Sequence, residues 1–417
     1  MMQTKIVYIA PYFWPESIGS APYCTDLCAW LRAKGHSVEV IAFRPHYPNP
    51  DLFAAWSDGS RDREVRDGLV IQRIKTRGRG SGGLRQRLLN DLAFLAGVLR
   101  YSVRPALSKP DVIAVNVPSC LSLFGAALLS WRTGARVVGI VHDIESGLAA
   151  SLSIARRGLM LRLMRLIEYL AFNCASELIV LTDGMAAEIR DIGYRRPITV
   201  LPIWSSLFPE KARSATAAPV PVVSYSGNFG KKQNLDQLLP LIRMLDERRP
   251  EVKVILRGDG SERARIEALV KQLGVTNTSF LPLVAADELG EWLQSVDIHL
   301  IPQAMNVANY ALPSKLFTVM AAGGPFVCVA EQGSPLDQLS HNSGAGLCVR
   351  PNDDEALFSA VIQMLDNREM LAEMGQRGRS FVRANMDRDK ILKSYEERMF
   401  GSRHGRVAGE QPSLSTV

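Results

Sequence analysis

A chain of 417 residues, 47% of them hydrophobic and 22% charged, is too long for one ordinary core and too apolar for a disordered protein, so two large domains are the economical expectation. Lysine and arginine exceed aspartate and glutamate by 49 to 42, and the net charge of +7 favours anionic partners without choosing among nucleic acid, acidic lipid and phosphorylated small molecules. The six cysteines form no CxxC pair and several lie in apolar runs, which argues against a disulfide framework and for a reducing cytoplasm.

The opening residues read as a buried strand, Lys5–Ala10, rather than as a secretory leader, because they have no cationic flank, long apolar run or small-residue cleavage site. A loop with Gly19 and Ser20 follows, then a helix over Thr25–Lys34 that stops at Gly35, then a strand over Val38–Phe43. A glycine loop after the first strand of such a unit is where a doubly wound sheet receives its ligand. The alternation continues with strands at Val70–Ile74, Val112–Val115, Val137–Val141 and Leu178–Leu181 and helices at Leu84–Val103, Leu121–Trp131 and Arg156–Cys174. This predicts an α/β domain with a parallel sheet covered on both faces. The longest apolar stretch, Val112–Trp131, is broken by Asn116, Pro118 and Ser119, so it reads as a strand and a helix and not as a membrane span.

Residues 207–219 are small and aperiodic, as a linker is, and separate a first domain (1–206) from a second (220–385). The second α/β series has strands at Val222–Ser226, Val252–Leu256, Ser279–Phe280, Ile298–Ile301 and Phe326–Val329. Its helices fall at Leu235–Leu245, Ala264–Leu273, Leu289–Gln294, Leu316–Ala322 and Ala356–Leu365. A charged helix (386–400) and a disordered polar tail (401–417) complete the chain. Two such domains imply a cleft between them, the usual place for a small ligand.

Three stretches of the second domain carry chemistry. In YSGNFGKKQN (Tyr225–Asn234) a strand ends in a loop with Gly227, Asn228, Lys231 and Lys232 before a helix opens. Glycine lets backbone approach a diphosphate, a helix N-terminus offers free N–H groups and lysine supplies charge; a surface turn with solvated lysines has the same letters. The second stretch, LRGDGSE, places Gly258 at another strand end, where a plain turn reads equally well. In the third, YALPSKLFTVMAAGGPFV, Ser314 suits an N-cap while Lys315 falls in the first helical turn, where a cation opposes the helix dipole unless an anion sits there.

Together with PYFWPESIGSAPYCTDLCAWLRAKGHSVEVI, Asn116–Ser119 (NVPS) and Val141–Ile144 (VHDI), these segments make the chain resemble the family 4 glycosyltransferases of GT-B fold, in the branch that builds colanic acid, related exopolysaccharides and O-antigens. The resemblance runs from about Lys5 to Phe400 and implies two Rossmann-like domains facing a central cleft. It implies a hexosyltransferase-type enzyme of bacterial cell-surface polysaccharide and lipopolysaccharide assembly, with retention of configuration. The donor is then a nucleotide-diphospho-sugar held by the second domain, and the acceptor a polyprenyl-diphosphate-linked saccharide held by the first. The resemblance places Gly19 near the donor diphosphate and His142 near the transferred sugar. It makes Lys231, Lys232 and Lys315 the neutralisers of the leaving diphosphate, with Lys232 and Lys315 beside His142 as catalytic candidates. It also implies that Gly227, Asn228, Gly258, Ser314 and Thr318 line the donor pocket.

The chain departs from the family pattern where two glutamates eight positions apart are usual: Tyr310 and Thr318 stand there, and Asn228 stands where arginine is common. Two other readings therefore stay open, a non-catalytic GT-B partner subunit and a GT-B nucleotide-sugar epimerase. No metal or other cofactor is expected, since the only Asp-x-Asp (Asp387–Asp389) lies in the charged terminal helix and neither the cysteines nor the histidines have zinc spacing. Nucleic acid is not expected as a partner, because the basic residues are not interleaved with stacking aromatics. An anionic membrane surface is: Leu84–Arg104 and Ile154–Ala171 mix leucine, methionine and phenylalanine with Arg85, Arg87, Arg100, Arg104, Arg156, Arg157, Arg162 and Arg165. Ordinary amphipathic helices packed on a sheet have the same pattern. The expected location is the cytoplasm, peripheral to the inner face of the plasma membrane.

Overall fold

The computed structural model describes residues 3–17, 19–47, 50–75, 84–104, 109–147, 158–205, 209, 220–285, 287–305 and 315–401. The chain forms two compact units, one of residues up to Ile203 with the segment from Asp389 onward, the other from Trp204 to Arg388. The segment read as a linker, apart from Pro209, and the tail beyond Gly401 lie outside the described residues.

In the first unit the strands are β1 (Lys5–Ile9), β2 (Ser37–Phe43), β3 (Arg63–Arg66), β4 (Leu69–Ile74), β5 (Val112–Val117), β6 (Arg136–Val141), β7 (Glu177–Val180) and β8 (Ile198–Val200). They lie in the order β3-β4-β2-β1-β5-β6-β7-β8, and every pairing but one is parallel. The exception is the β3–β4 hairpin, closed by Asp67 and Gly68 at φ 49° and 77°. An Asp-Gly pair with both φ positive is a hairpin turn whose twist suits flanking strands. All six residues of β5 are buried, as a parallel sheet covered on both faces requires. The helices are α1 (Ala21–Ala33), α2 (Leu84–Ser102), α3 (Ser122–Thr133), α4 (Gly158–Phe172) and α5 (Asp183–Ile192). The strand order turns back between β1 and β5, which makes their C-terminal ends the switch point of this sheet.

The second unit has β9 (Val222–Asn228), β10 (Lys253–Asp259), β11 (Thr278–Leu281), β12 (Ile298–Pro302), β13 (Phe326–Val329) and β14 (Gly346–Val349), all parallel, in the order β11-β10-β9-β12-β13-β14. Its switch point lies between β9 and β12. The helices are α6 (Leu239–Arg248), α7 (Arg263–Leu273), α8 (Leu289–Ser295), α9 (Lys315–Ala321), α10 (Pro335–Ser343), α11 (Asp354–Asp366) and α12 (Arg368–Asn385). The core runs through Val223, Tyr225, Leu256, Leu300 and Val327 under α6 and α11. The helix expected from Leu235 begins instead as a 3-10 turn, Leu235–Leu238, because Pro240 is suited to the first turn of an α-helix and cannot donate to an earlier one.

Helix α13 (Arg388–Phe400) packs in the first unit. The buried carboxylate of Glu396 accepts from Trp30 Nε1 at 3.1 Å and pairs with His36 Nε2 at 3.0 Å. The N–H of Thr4 donates to His36 Nδ1 at 3.3 Å, which puts the ring proton on Nε2, facing Glu396. Phe400 meets the same imidazole edge-on. Among the described residues no helix is long and apolar enough to cross a membrane.

Candidate functional site

In the second unit β9 and β10 stay in register to their ends, so Gly227 lies beside Gly258 and Asn228 beside Asp259. The two glycines have φ of +146° and +138°, and a side chain on Gly258 would run into the carbonyl of Gly227. Two adjacent strands therefore present bare backbone side by side, one residue before their ends. The buried ring of Tyr225 lies under this place, its hydroxyl donating to the carbonyl of Asn228 at 2.6 Å.

Lys315, the first residue of α9, comes from the other side of the switch point, after β12. Its Nζ sits 3.7 Å from the centroid of the Tyr225 ring and 3.4 Å from where a Cβ on Gly227 would lie. That ammonium is buried and has no hydrogen-bond partner among the described residues, and desolvation pushes its pKa down to about 7. The cation–π contact offsets only part of the cost of burying a charge, whereas an anion seated on the glycine strand ends would supply the missing partner. Thr318, one turn along, shares with Lys315 the only face of α9 that is not buried.

The other candidates divide. Asn228 is exposed at the mouth of the loop, and the amide of Phe229 donates to Asp259 at 2.8 Å, zipping the two strand-end loops together. Lys231 is exposed, and the backbone of Lys232 is held by the amide of Ala304, which donates to its carbonyl at 2.9 Å. Lys315 is the lysine whose side chain lies against Gly227. Ser314 and Tyr310 lie outside the described residues.

In the first unit the strand ends at the switch point carry Gly19, at φ +65° with open space around it, and Ser20, whose Oγ accepts from Asn116 Nδ2 at 2.8 Å. Asn116 Oδ1 and Ser119 Oγ are buried and have no hydrogen-bond partner among the described residues. His142 follows β6 directly, its N–H donating to Val117 at 3.4 Å, and burial pushes its imidazole down to about 4, against the weaker upward pull of Asp143. The ring is neutral at pH 7 and able both to donate and to accept.

Sequence reasoning left Glu16 inside a motif without a role. It is buried and accepts from the backbone N–H groups of His46 and Tyr47, both at 2.9 Å, and of Phe13 at 3.3 Å. It thereby ties the loop after β1 to the loop after β2; burial raises its pKa to about 7. A carboxylate inside an aromatic run was the available signal.

The helix α4 turns Leu159 (80% exposed), Leu163 (54%), Leu166 (52%) and Leu170 to solvent, with Arg162 and Arg165 among them. Leu88, Leu89 and Leu92 of α2 are exposed too, and Trp131 in the last turn of α3 is 83% exposed. Arg156 and Arg157 lie outside the described residues.

A family model described as a glycosyl transferase 4-like domain matches residues 19–204, and one described as glycosyl transferases group 1 matches residues 209–381. The chain is 28% identical over 411 residues to the putative colanic acid biosynthesis glycosyl transferase WcaI of Escherichia coli K12, covering 94% of this chain and 98% of that one. Among solved structures, sucrose-phosphate synthase of Thermosynechococcus elongatus superposes with a TM-score of 0.75 at 18% identity, over 94% of this chain and 98% of the other. Anabaena HepE, solved in complex with UDP-glucose, superposes with a TM-score of 0.67 at 15% identity, over 95% and 99%.

Proposed function

We infer that this chain, which belongs to the glycosyltransferases of GT-B fold, moves a sugar from a nucleotide-diphospho-sugar onto a lipid-linked saccharide during assembly of a cell-surface polysaccharide. The observation that carries the donor assignment is Lys315: a buried ammonium without a partner among the described residues, against the glycine pair Gly227–Gly258 near the strand ends at the switch point, which is the environment a diphosphate completes. The structural relative solved with UDP-glucose holds a ligand of that class. The polysaccharide context rests on the relative from Escherichia coli.

On this reading the Gly227–Gly258 backbone and Lys315 hold the diphosphate, and the charge of Lys315 stabilises it as it leaves. Lys231 and Lys232 add long-range attraction from the loop. The transfer needs no metal, because lysine supplies the positive charge. It retains configuration, the departing phosphate oxygen taking the acceptor proton on the same face. His142, neutral at working pH, hydrogen-bonds the transferred sugar. Gly19 approaches the donor diphosphate from the first domain, while Ser20 and Asn116 hold the acceptor side of the reaction at the switch point of the first sheet. The exposed leucines of α4 and α2, with Arg162, Arg165 and Arg100, seat the protein on the anionic inner face of the plasma membrane, where a lipid-linked acceptor is presented.

The test is sugar transfer onto a lipid-linked acceptor by the parent and by His142→Ala, with a panel of nucleotide-sugars and with EDTA present. Donor-dependent product in the parent and a strongly lowered but measurable rate in a folded His142→Ala support the reading. Absence of product with every donor favours the partner-subunit alternative, for which Thr318 in place of a carboxylate is the motive. Donor turnover without acceptor favours the epimerase.

A further inference from the structure

The only carboxylate of α4 points inward while the leucines point out. Glu168 is 2% exposed, and its two oxygens are both used by one residue: the backbone N–H of Ser146 donates to Oε1 at 2.8 Å and the Ser146 hydroxyl donates to Oε2. Ser146 is itself buried and lies four residues after His142, on the segment that leaves β6. The amide of Glu145 also faces the carboxylate.

We propose that Glu168 is a positioning residue for the transfer: from the inner face of α4 it clamps the segment carrying His142 by a two-point contact to Ser146. A hydrophobic side chain would cover the sheet at this position at less desolvation cost than a carboxylate, so packing alone does not account for glutamate here. Two hydrogen bonds accepted by one carboxyl group fix both position and direction, and they hold the segment just after β6, where the His142 N–H donates to the carbonyl of Val117 at 3.4 Å. Tight placement matters because a displacement of about 1 Å at a reacting group can cost about 100-fold in rate.

This role rests on the reading of His142 given above, and the experiment separates the two. Transfer kinetics and melting temperature are measured for Glu168→Ala, Glu168→Gln, Ser146→Ala, His142→Ala and the double variant Glu168→Ala/His142→Ala. The expected results are a kcat lowered about 10- to 100-fold in Glu168→Ala with the donor KM near the parent's, and partial recovery in Glu168→Gln, which keeps one acceptor oxygen. In the double variant no loss should appear beyond that of His142→Ala. Should Glu168→Ala not fold, Ser146→Ala and Glu168→Gln carry the test, each removing part of the contact. A folded Glu168→Ala with the parent's kcat, or losses that multiply in the double variant, overturns the positioning role alone. An unchanged kcat in His142→Ala overturns the reading of His142 and the positioning role with it.

Discussion

Replacing Lys315 by methionine keeps the length of the side chain and removes the charge, and the structure gives the expected effect two opposite signs. A lysine that ionises at about 7 in the folded chain and near 10.5 in the unfolded chain binds fewer protons when folded between those pH values. Stability therefore rises with pH across that window, and at pH 7 the buried lysine costs about 4 kcal/mol relative to an unperturbed one. Lys315→Met should melt higher than the parent without ligand, and its stability should lose the upward slope between pH 7 and 10.5. Donor binding should weaken, because a charge-assisted hydrogen bond to phosphate contributes about 1.5–3 kcal/mol, or about 10- to 150-fold in affinity. A diphosphate beside Nζ also restores the proton, so binding of uridine or guanosine diphosphate at pH 8 should take up about one proton in the parent and none in the variant. Titration calorimetry in two buffers of different ionisation enthalpy reads this directly. A variant that melts lower than the parent, or binds nucleoside diphosphates with the parent's affinity, refutes the argument.

His142→Gln should flatten acid sensitivity: an imidazole ionising at about 4 when folded and 6.5 when unfolded costs the parent stability as pH falls through that range, up to about 3 kcal/mol, and equilibrium unfolding from pH 4 to 7 measures the slope. Glu396→Ala leaves the Trp30 and His36 donors without their acceptor and should cost about 2–4 kcal/mol in denaturant unfolding, with Glu396→Gln milder. Serine at Leu159, Leu163, Leu166 and Leu170 should leave the melting temperature nearly unchanged, because these side chains are exposed, yet abolish flotation with phosphatidylglycerol vesicles. Thr318→Glu should be tolerated by the fold, since the residue lies on the open face of α9, and nucleotide binding at least as tight as the parent's is the expected result by calorimetry.

Much of the fold is legible in the chain because it is written locally. Short β-branched runs alternating with amphipathic ones define parallel α/β units, and glycines just after strands mark ligand-facing ends. Of the elements that escaped, α5 and α10 had clear caps in Thr182–Gly193 and Ser334–Gly344, whereas β3 and α12 carried conflicting local signals. Strand β3 is four charged or β-branched residues just before Asp67–Gly68, and α12 carries Gly375 and Gly378 within a highly charged stretch. Those glycines are packing residues, since a side chain at Gly375 would strike the carbonyl of Gly323 and one at Gly378 would crowd Ala345.

By itself the sequence determined the two α/β series, the loop glycines and the placement of Lys315 at a helix start where its charge called for an anion. Only the tertiary structure decided which residues those signals meet. It set Lys315 over Gly227 and Tyr225 across the β9–β12 switch point, and returned Glu396 to His36, 360 positions earlier in the chain. It also turned Glu168 inward onto Ser146 while α4 left its leucines in solvent. Periodicity reports which face of an element is apolar, but not which strand it will lie beside, because strand order and crossover direction are settled by packing of the whole sheet. A buried charge reveals its partner, or the lack of one, only when that packing is complete.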